Sequence, residues 1–584
     1  MTAVEALRRL REWLEETHGS PFELRRHFFR RFFDSDLVAS PGQWRTVAGG
    51  LIAIVASSSI VVMQAYFGKY RALLELDSPE PYRMAMLADH LFFIVLGMFL
   101  TALLTCLQWG SLFPALRDYL ALAGLPLRAR DIFIAKFLAL LGFAGIFIVA
   151  VNLLPAAMLP AVASGRHQVL GGPSFVTLFV ASSFASLLLF FVLVAVQGIL
   201  LNILPVGLFP RVSLFVQATL LIGLLCAFPL TFAIAGLHGM MNQRPESALA
   251  LPPVWYLGLD QWMLGNREPY VAELARRAIL GLVGAAASAA LAYLWSYRRH
   301  RIRVVEMPFE PESELAAWRR VRGWLADRFA PNLAGQAVLG FIVKTLWRSQ
   351  QHRLVLTAFA GIAVALVFNG FVSLMTEGGF RGFEVRTPAL RKLAVSIPLS
   401  LTLFLLAGYR YLFRLPVELR ANWVFRVHEG GNRLRLLEAV ERYLIWAGIV
   451  PVIALTAVVE VWLLGWWEGI SAVIPALLAA LILLEILLFK LERIPFTSSY
   501  LPGQRPLIET LLLYGVGVAI YISISSTLIA SCLTEPPWLT TLCGLMTAGW
   551  AYARKARGEA WQLGRLEFEE LEEPLVHTLG IERD

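Results

Sequence analysis

Residues Phe175 to Ile203 read FVTLFVASSFASLLLFFVLVAVQGILLNI, without one charged side chain. About 20 apolar residues wound as a helix cross the roughly 30 Å of hydrocarbon in a bilayer. This run is longer than that, and it lacks the two-residue alternation of a barrel strand. No water pairs the backbone inside lipid, so an unalternating run of this length must close its hydrogen bonds within itself, as a helix does.

Runs of the same kind recur at 47–67, 87–108, 137–160, 212–236, 277–297, 354–375, 393–409, 443–465, 470–489, 507–530 and 538–553. Only 16% of the 584 residues are charged and 58% are hydrophobic, whereas soluble domains carry about 25% charge. The expected fold is therefore all-α: a polytopic integral membrane helical bundle of about 12 transmembrane helices, arranged as two six-helix halves.

A net charge of +9 would suit nucleic acid if it formed a basic stripe. It does not. With the N-terminus placed inside, lysine and arginine favour the inner segments by about three to one in number. Topology and anionic lipid account for the excess, and no nucleic-acid partner is expected. Both termini are predicted to be cytoplasmic.

The same reading divides the chain. Residues 1–46 hold amphipathic helices on the cytoplasmic side, 47–297 the first six-span half and 298–353 a cytoplasmic linker. The second half occupies 354–553, and 554–584 form a cytoplasmic tail. In Pro21–Phe33, paired aromatics alternate with paired arginines, a pattern suited to a helix lying in the headgroup layer. An even number of spans per half makes the repeats parallel, related by an axis along the membrane normal. An outer loop carrying Leu251-Pro252-Pro253-Val254-Trp255-Tyr256-Leu257 should form a structured interfacial element, since Trp and Tyr anchor there.

In each half a long amphipathic segment separates the second and third spans, at 112–136 and at 412–442. Both open on Leu-Phe (Leu112-Phe113 and Leu412-Phe413), and both set a proline beside an apolar residue ahead of a charged helix. A lever that carries force from a partner into the membrane needs such a polar face. Arg117, Asp118, Arg128, Arg130 and Asp131 would supply it in the first half, and Arg420, Asn422 and Arg426 in the second. The plainer reading is a basic inner loop obeying the charge rule.

The stretch Leu125-Pro126-Leu127-Arg128-Ala129-Arg130-Asp131-Ile132-Phe133-Ile134-Ala135-Lys136 resembles the segment between spans two and three of bacterial type-2 ABC exporter permeases. The resemblance implies an inner-membrane permease subunit whose coupling helix, with Pro126 and Lys136 part of its motif, docks into a separate ABC ATPase subunit, itself a dimer. Permeases of that family usually carry six spans and dimerise, whereas this chain fuses both halves, and its last outer loop is short. The sequence has no Gly-x-x-x-x-Gly-Lys-Ser/Thr loop, His-Glu-x-x-His pair, nucleophile elbow or Cys/His cluster. It is accordingly expected to be no enzyme, to hold no cofactor or metal, and to leave ATP hydrolysis to another chain. Cys106, Cys226, Cys532 and Cys543 read as packing residues, with a Cys532–Cys543 disulfide as the alternative.

Ionisable groups at membrane depth are functional candidates by default. Asp89 and His90 are expected at the outer end of the second span, within reach of interfacial water. Glu460 lies toward the outer end of the ninth span. Glu485, deeper in the tenth, should either pair with an arginine of another helix or line a watery path. Gln64, Asn152, Gln197, Gln217 and Asn369 read as hydrogen-bonding glue between helices. The functional expectation is an ABC exporter permease, against an ion-coupled secondary transporter or a non-transporting membrane scaffold.

Overall fold

Apolar runs with no polar face become long helices that pack on all sides. The computed structural model describes residues 24–29, 66–73, 75, 79–114, 122, 129–162, 171–205, 208–233, 249–306, 333–378, 387–413, 425, 433–489, 491, 493–497 and 507–563. Two units are separable, Met1–Phe309 and Glu310–Asp584. In the first, the helices are α1 (Pro79–Leu107), α2 (Ala129–Val162), α3 (Gly171–Ile203), α4 (Phe209–Ala233), α5 (Pro252–Met263) and α6 (Pro269–Glu306). In the second they are α7 (Leu333–Arg348), α8 (Gln350–Gly378), α9 (Pro388–Leu412), α10 (Arg433–Tyr443), α11 (Val450–Leu464), α12 (Trp466–Leu488), α13 (Leu507–Cys532) and α14 (Pro536–Leu563).

Among the described residues, 9 helices are long and apolar enough to cross a membrane, rather than about twelve. The run at 47–67 falls almost wholly outside the described residues. That at 507–530 is helical, but its described apolar part is only the shorter Gly517–Cys532. The run at 538–553 lies on α14, where Thr540, Thr541, Thr547 and Trp550 dilute the apolar residues before Arg554, Lys555 and Arg557 end them. The chain is a multi-pass helical membrane protein on these grounds. Several helices also start earlier than their apolar runs, α6 at Pro269 instead of 277, with Glu273 paired to Arg276 and Arg277 along that early stretch.

Small residues set the closest approaches, as they do between helices in lipid. A Cβ on Gly97 of α1 would lie 2.3 Å from the Asn152 amide oxygen of α2. Asn152 in turn donates to Ser186 of α3 at 3.2 Å. In the second unit α11 and α12 are joined by Gly465 alone, at φ 84°, a conformation that costs glycine nothing. The hairpin is so tight that a Cβ on Gly469 would stand 2.6 Å from Val461 Cα. Between α10 and α11 the residues Leu444–Ile449 form a π-helical segment. Pro451, which has no N–H to offer the ladder, follows two residues after its end.

The loop with Pro252 and Pro253 is the helix α5, started by a proline at its first turn. It is not merely interfacial: Val254 and the run from Tyr256 to Asp260 are buried. Residues 24–29 are helical too, and Leu24 and Phe28 are buried in the core of the first unit. The Lys136 ammonium sits 5.0 Å from the Phe28 ring centre. The remainder of Pro21–Phe33 lies outside the described residues.

Candidate functional site

The last carbonyls of an α-helix have no partner within it and must find one elsewhere. At the end of α1 and in the turn that follows, three carbonyls are taken by side chains from three different helices. Gln217 of α4 donates to the Cys106 carbonyl at 2.7 Å, and Gln197 of α3 to the Trp109 carbonyl at 2.6 Å. The Tyr293 hydroxyl of α6 donates to the Leu112 carbonyl at 2.8 Å. Trp109, in the 3-10 turn Trp109–Ser111, donates its indole N–H to Ser213 at 2.8 Å. Phe113 stacks on Tyr293 with ring centres 4.5 Å apart, and its edge fills the space that a side chain at Gly198 would need. The chain therefore leaves the helices of the first unit at Leu112-Phe113 from a fastened corner.

The second Leu-Phe step is a corner as well. Leu412 and Phe413 are buried at the end of α9, and the Phe413 carbonyl accepts the backbone N–H of Phe496 at 3.2 Å. The Phe496 ring meets Phe413 at 5.6 Å, Phe341 at 6.3 Å and His352 at 5.1 Å. Phe496 holds φ 66°, a left-handed conformation that bulky residues rarely take. Tyr409, one turn before, meets Tyr443 of α10 edge to face at 5.7 Å. Beside this corner Leu444, Leu484 and Leu488 line a small hollow with Phe413.

An ion triad closes the same end of the second unit. Arg557 of α14 pairs with Glu441 of α10 at 2.8 Å and with Glu485 of α12, all three side chains being less than a tenth exposed. Trp561, one turn on, lies 4.1 Å from the Arg557 guanidinium and donates its indole N–H to the Leu488 carbonyl at 3.2 Å. Glu485 is thus within one turn of the end of α12, and Arg557 is its arginine from another helix.

Of the lever residues, Arg130 is exposed and Asp131 partly buried in the first turn of α2, where an acidic group suits the helix dipole. Lys136 is buried one turn further on. Arg117, Asp118, Pro126, Arg128, Arg420, Asn422 and Arg426 lie outside the described residues.

The chain matches no family model, no characterised protein and no solved structure. What the residues can do is left to their geometry.

Asp89 and His90 are not wetted at an interface; both are buried. The Lys69 ammonium reaches Asp89 at 2.7 Å and the Tyr70 hydroxyl donates to it at 2.7 Å. His90 Nδ1 lies 2.8 Å from the Asp260 carboxylate of α5, leaving Nε2 and Asp260 Oδ1 without a partner among the described residues. The physical reason is cover: α5 and residues 66–73 fold over the first turns of α1. Sequence reasoning missed Lys69, Tyr70, Asp260, Glu441 and Arg557 as partners. A hint was available in Asp260, a lone charge inside the apolar loop run, and in the Arg557–Trp561 spacing.

Asn152, Gln197 and Gln217 bridge helices, Gln64 lies outside the described residues, and Asn369 is exposed on α8. All four cysteines are free, Cys532 and Cys543 among them. Among the described residues no three His, Cys, Asp or Glu side chains converge as a metal site.

Proposed function

We propose that this chain is the membrane-spanning subunit of an exporter of the type-2 ABC kind, driven by ATP hydrolysis on a separate ATPase subunit. Its place would be the bacterial inner membrane, with both termini in the cytoplasm and two six-span halves in one polypeptide. The segments 112–136 and 412–442 would dock into the two ATPase copies. The reading is supported by one observation above others: both segments leave the bundle from corners that cannot swing freely. Leu112-Phe113 is tied to α3 and α6, and Leu412-Phe413 to the segment around Phe496. A lever transmits displacement only when its root moves with the helices it is meant to move. The polar residues Arg130 and Asp131 stand where the first lever re-enters the bundle.

The test is association and stimulation. A nucleotide-binding subunit should co-purify with the tagged chain from its native membrane and hydrolyse ATP faster in its presence. Replacing 115–128 by a Gly-Ser linker of equal length should abolish the stimulation while the chain keeps its melting temperature. The reading fails if no ATPase associates and the linker variant retains full function.

A further inference from the structure

Glu460 stands one turn before the end of α11, at the level where Gly469 of α12 abuts the backbone of Glu460 and Val461. Its side chain is 1% exposed, and Oε1 has no partner among the described residues. The elements packed most closely against α11 are α12, α9 and the π segment Leu444–Ile449. In addition, α13 brings Ile529 and Tyr521, with Leu533 just beyond its end, to the apolar cluster that holds Leu464. Near this end α9 brings Arg391 and Lys392, and α12 brings Glu468; the π segment carries no ionisable group. Arg391 is committed to Glu468 through two hydrogen bonds of 2.9 and 3.2 Å, and Lys392 is exposed. Glu485, at the far end of α12, is engaged by Arg557. One turn along from Glu460, Leu464 belongs to an apolar cluster with Ala394, Leu399 and Ala472.

The other buried carboxylates among the described residues contrast with this. Asp89, Asp260, Glu441 and Glu485 each face a cation, a ring nitrogen or a hydroxyl. An ionised carboxylate with no such partner is among the costliest groups to bury, and a neutral carboxylic acid is far less so. A metal cation would need several converging oxygens, and among the described residues none converge here. A proton needs one carboxyl.

We propose that Glu460 is a proton-binding site of the second unit, occupied at neutral pH and emptied only when water or a cation is admitted to the end of the α11–α12 hairpin. The proposal does not depend on an ATPase partner. A protonated carboxyl in an apolar setting adds across a carbodiimide: the acid proton goes to one nitrogen and the carboxylate oxygen to the central carbon. Acyl transfer to nitrogen then leaves a stable N-acylurea, with nothing lost from either reactant. The full-length protein in liposomes is treated with apolar dicyclohexylcarbodiimide, or with a water-soluble carbodiimide plus glycine ethyl ester, and the modified residues are mapped by mass spectrometry. The apolar reagent should label Glu460 and the soluble one should not. Glu460→Gln should remove that adduct and melt no lower than the parent. Absence of the adduct from a recovered Glu460 peptide, or its modification by the water-soluble reagent, overturns the proposal; both are read on the unmutated protein.

Discussion

Past the end of α1, the carbonyls of Cys106, Trp109 and Leu112 are held by polar side chains reaching in from α4, α3 and α6, and they lead the chain to Leu112-Phe113. At the end of α9, the same pair of residues is held by aromatic rings, one backbone N–H and a neighbouring ion triad. The first fastening is directional and divided among several neutral hydrogen bonds, each worth about 0.5–1.5 kcal/mol. The second concentrates its energy in a few groups: one strained, fully buried phenylalanine and one arginine serving two carboxylates. Two solutions to the same requirement should therefore fail differently. The first should lose stability in small steps, the second in large ones.

The largest step is expected at Arg557. Arg557→Ala leaves Glu485 buried without its paired cation, and Glu441 with only the half-exposed Arg554 at 4.0 Å; stranding a buried charge in this way typically costs about 3–5 kcal/mol. Thermal unfolding in detergent should register it as a large drop in melting temperature. If the damage lies in the stranded charges and not in lost packing, the triple variant with Glu441→Gln and Glu485→Gln should recover much of the loss. A single variant no worse than its neighbours would mean that the triad is ornamental to this corner.

Next comes Phe496, whose ring fills the space between Phe413, Phe341 and His352. Phe496→Ala should cost about 3–5 kcal/mol by emptying that space. Because φ is 66° here, Phe496→Gly should be milder than Phe496→Ala by about 1 kcal/mol, the reverse of their usual order in a core. A glycine variant that melts below the alanine variant would show that the backbone of this segment relaxes once the ring is gone. In the first unit, Gln197→Leu leaves the Trp109 carbonyl with only the long 3.4 Å bond from the Leu112 N–H, an expected loss of about 1–1.5 kcal/mol in the same assay.

The sequence disclosed the helices and little of what ties them together. A run such as Phe175–Ile203 announces its own structure, because length and lack of charge suffice. The Leu-Phe steps were visible as a recurring pair, yet nothing local says that Tyr293 or Phe496 will close on them. Arg557 was hidden for a different reason. It follows the apolar part of α14, where an arginine reads as an ordinary cytoplasmic flank, and only the continuation of the helix to Leu563 brings it against Glu441 and Glu485. Asp89 and His90 misled because position along a span implies water only when no other element covers that end, and α5 does. Pairing across distant helices is a property of packing, which hydrophobic periodicity does not encode.

Tyr293→Phe is the smallest test and the most discriminating. It deletes the hydroxyl that meets the Leu112 carbonyl at 2.8 Å but keeps the ring, which stacks on Phe113 and also touches Phe137 at 4.8 Å between centres. If the first corner is held by its hydrogen bonds, stability should fall by about 1 kcal/mol, since one buried carbonyl loses its donor. Tyr293→Leu would then cost distinctly more, because ring contacts go as well. If Tyr293→Phe melts with the parent while Tyr293→Leu collapses, the first corner is held by aromatic packing like the second. The contrast between the two units would then reduce to the ion triad alone.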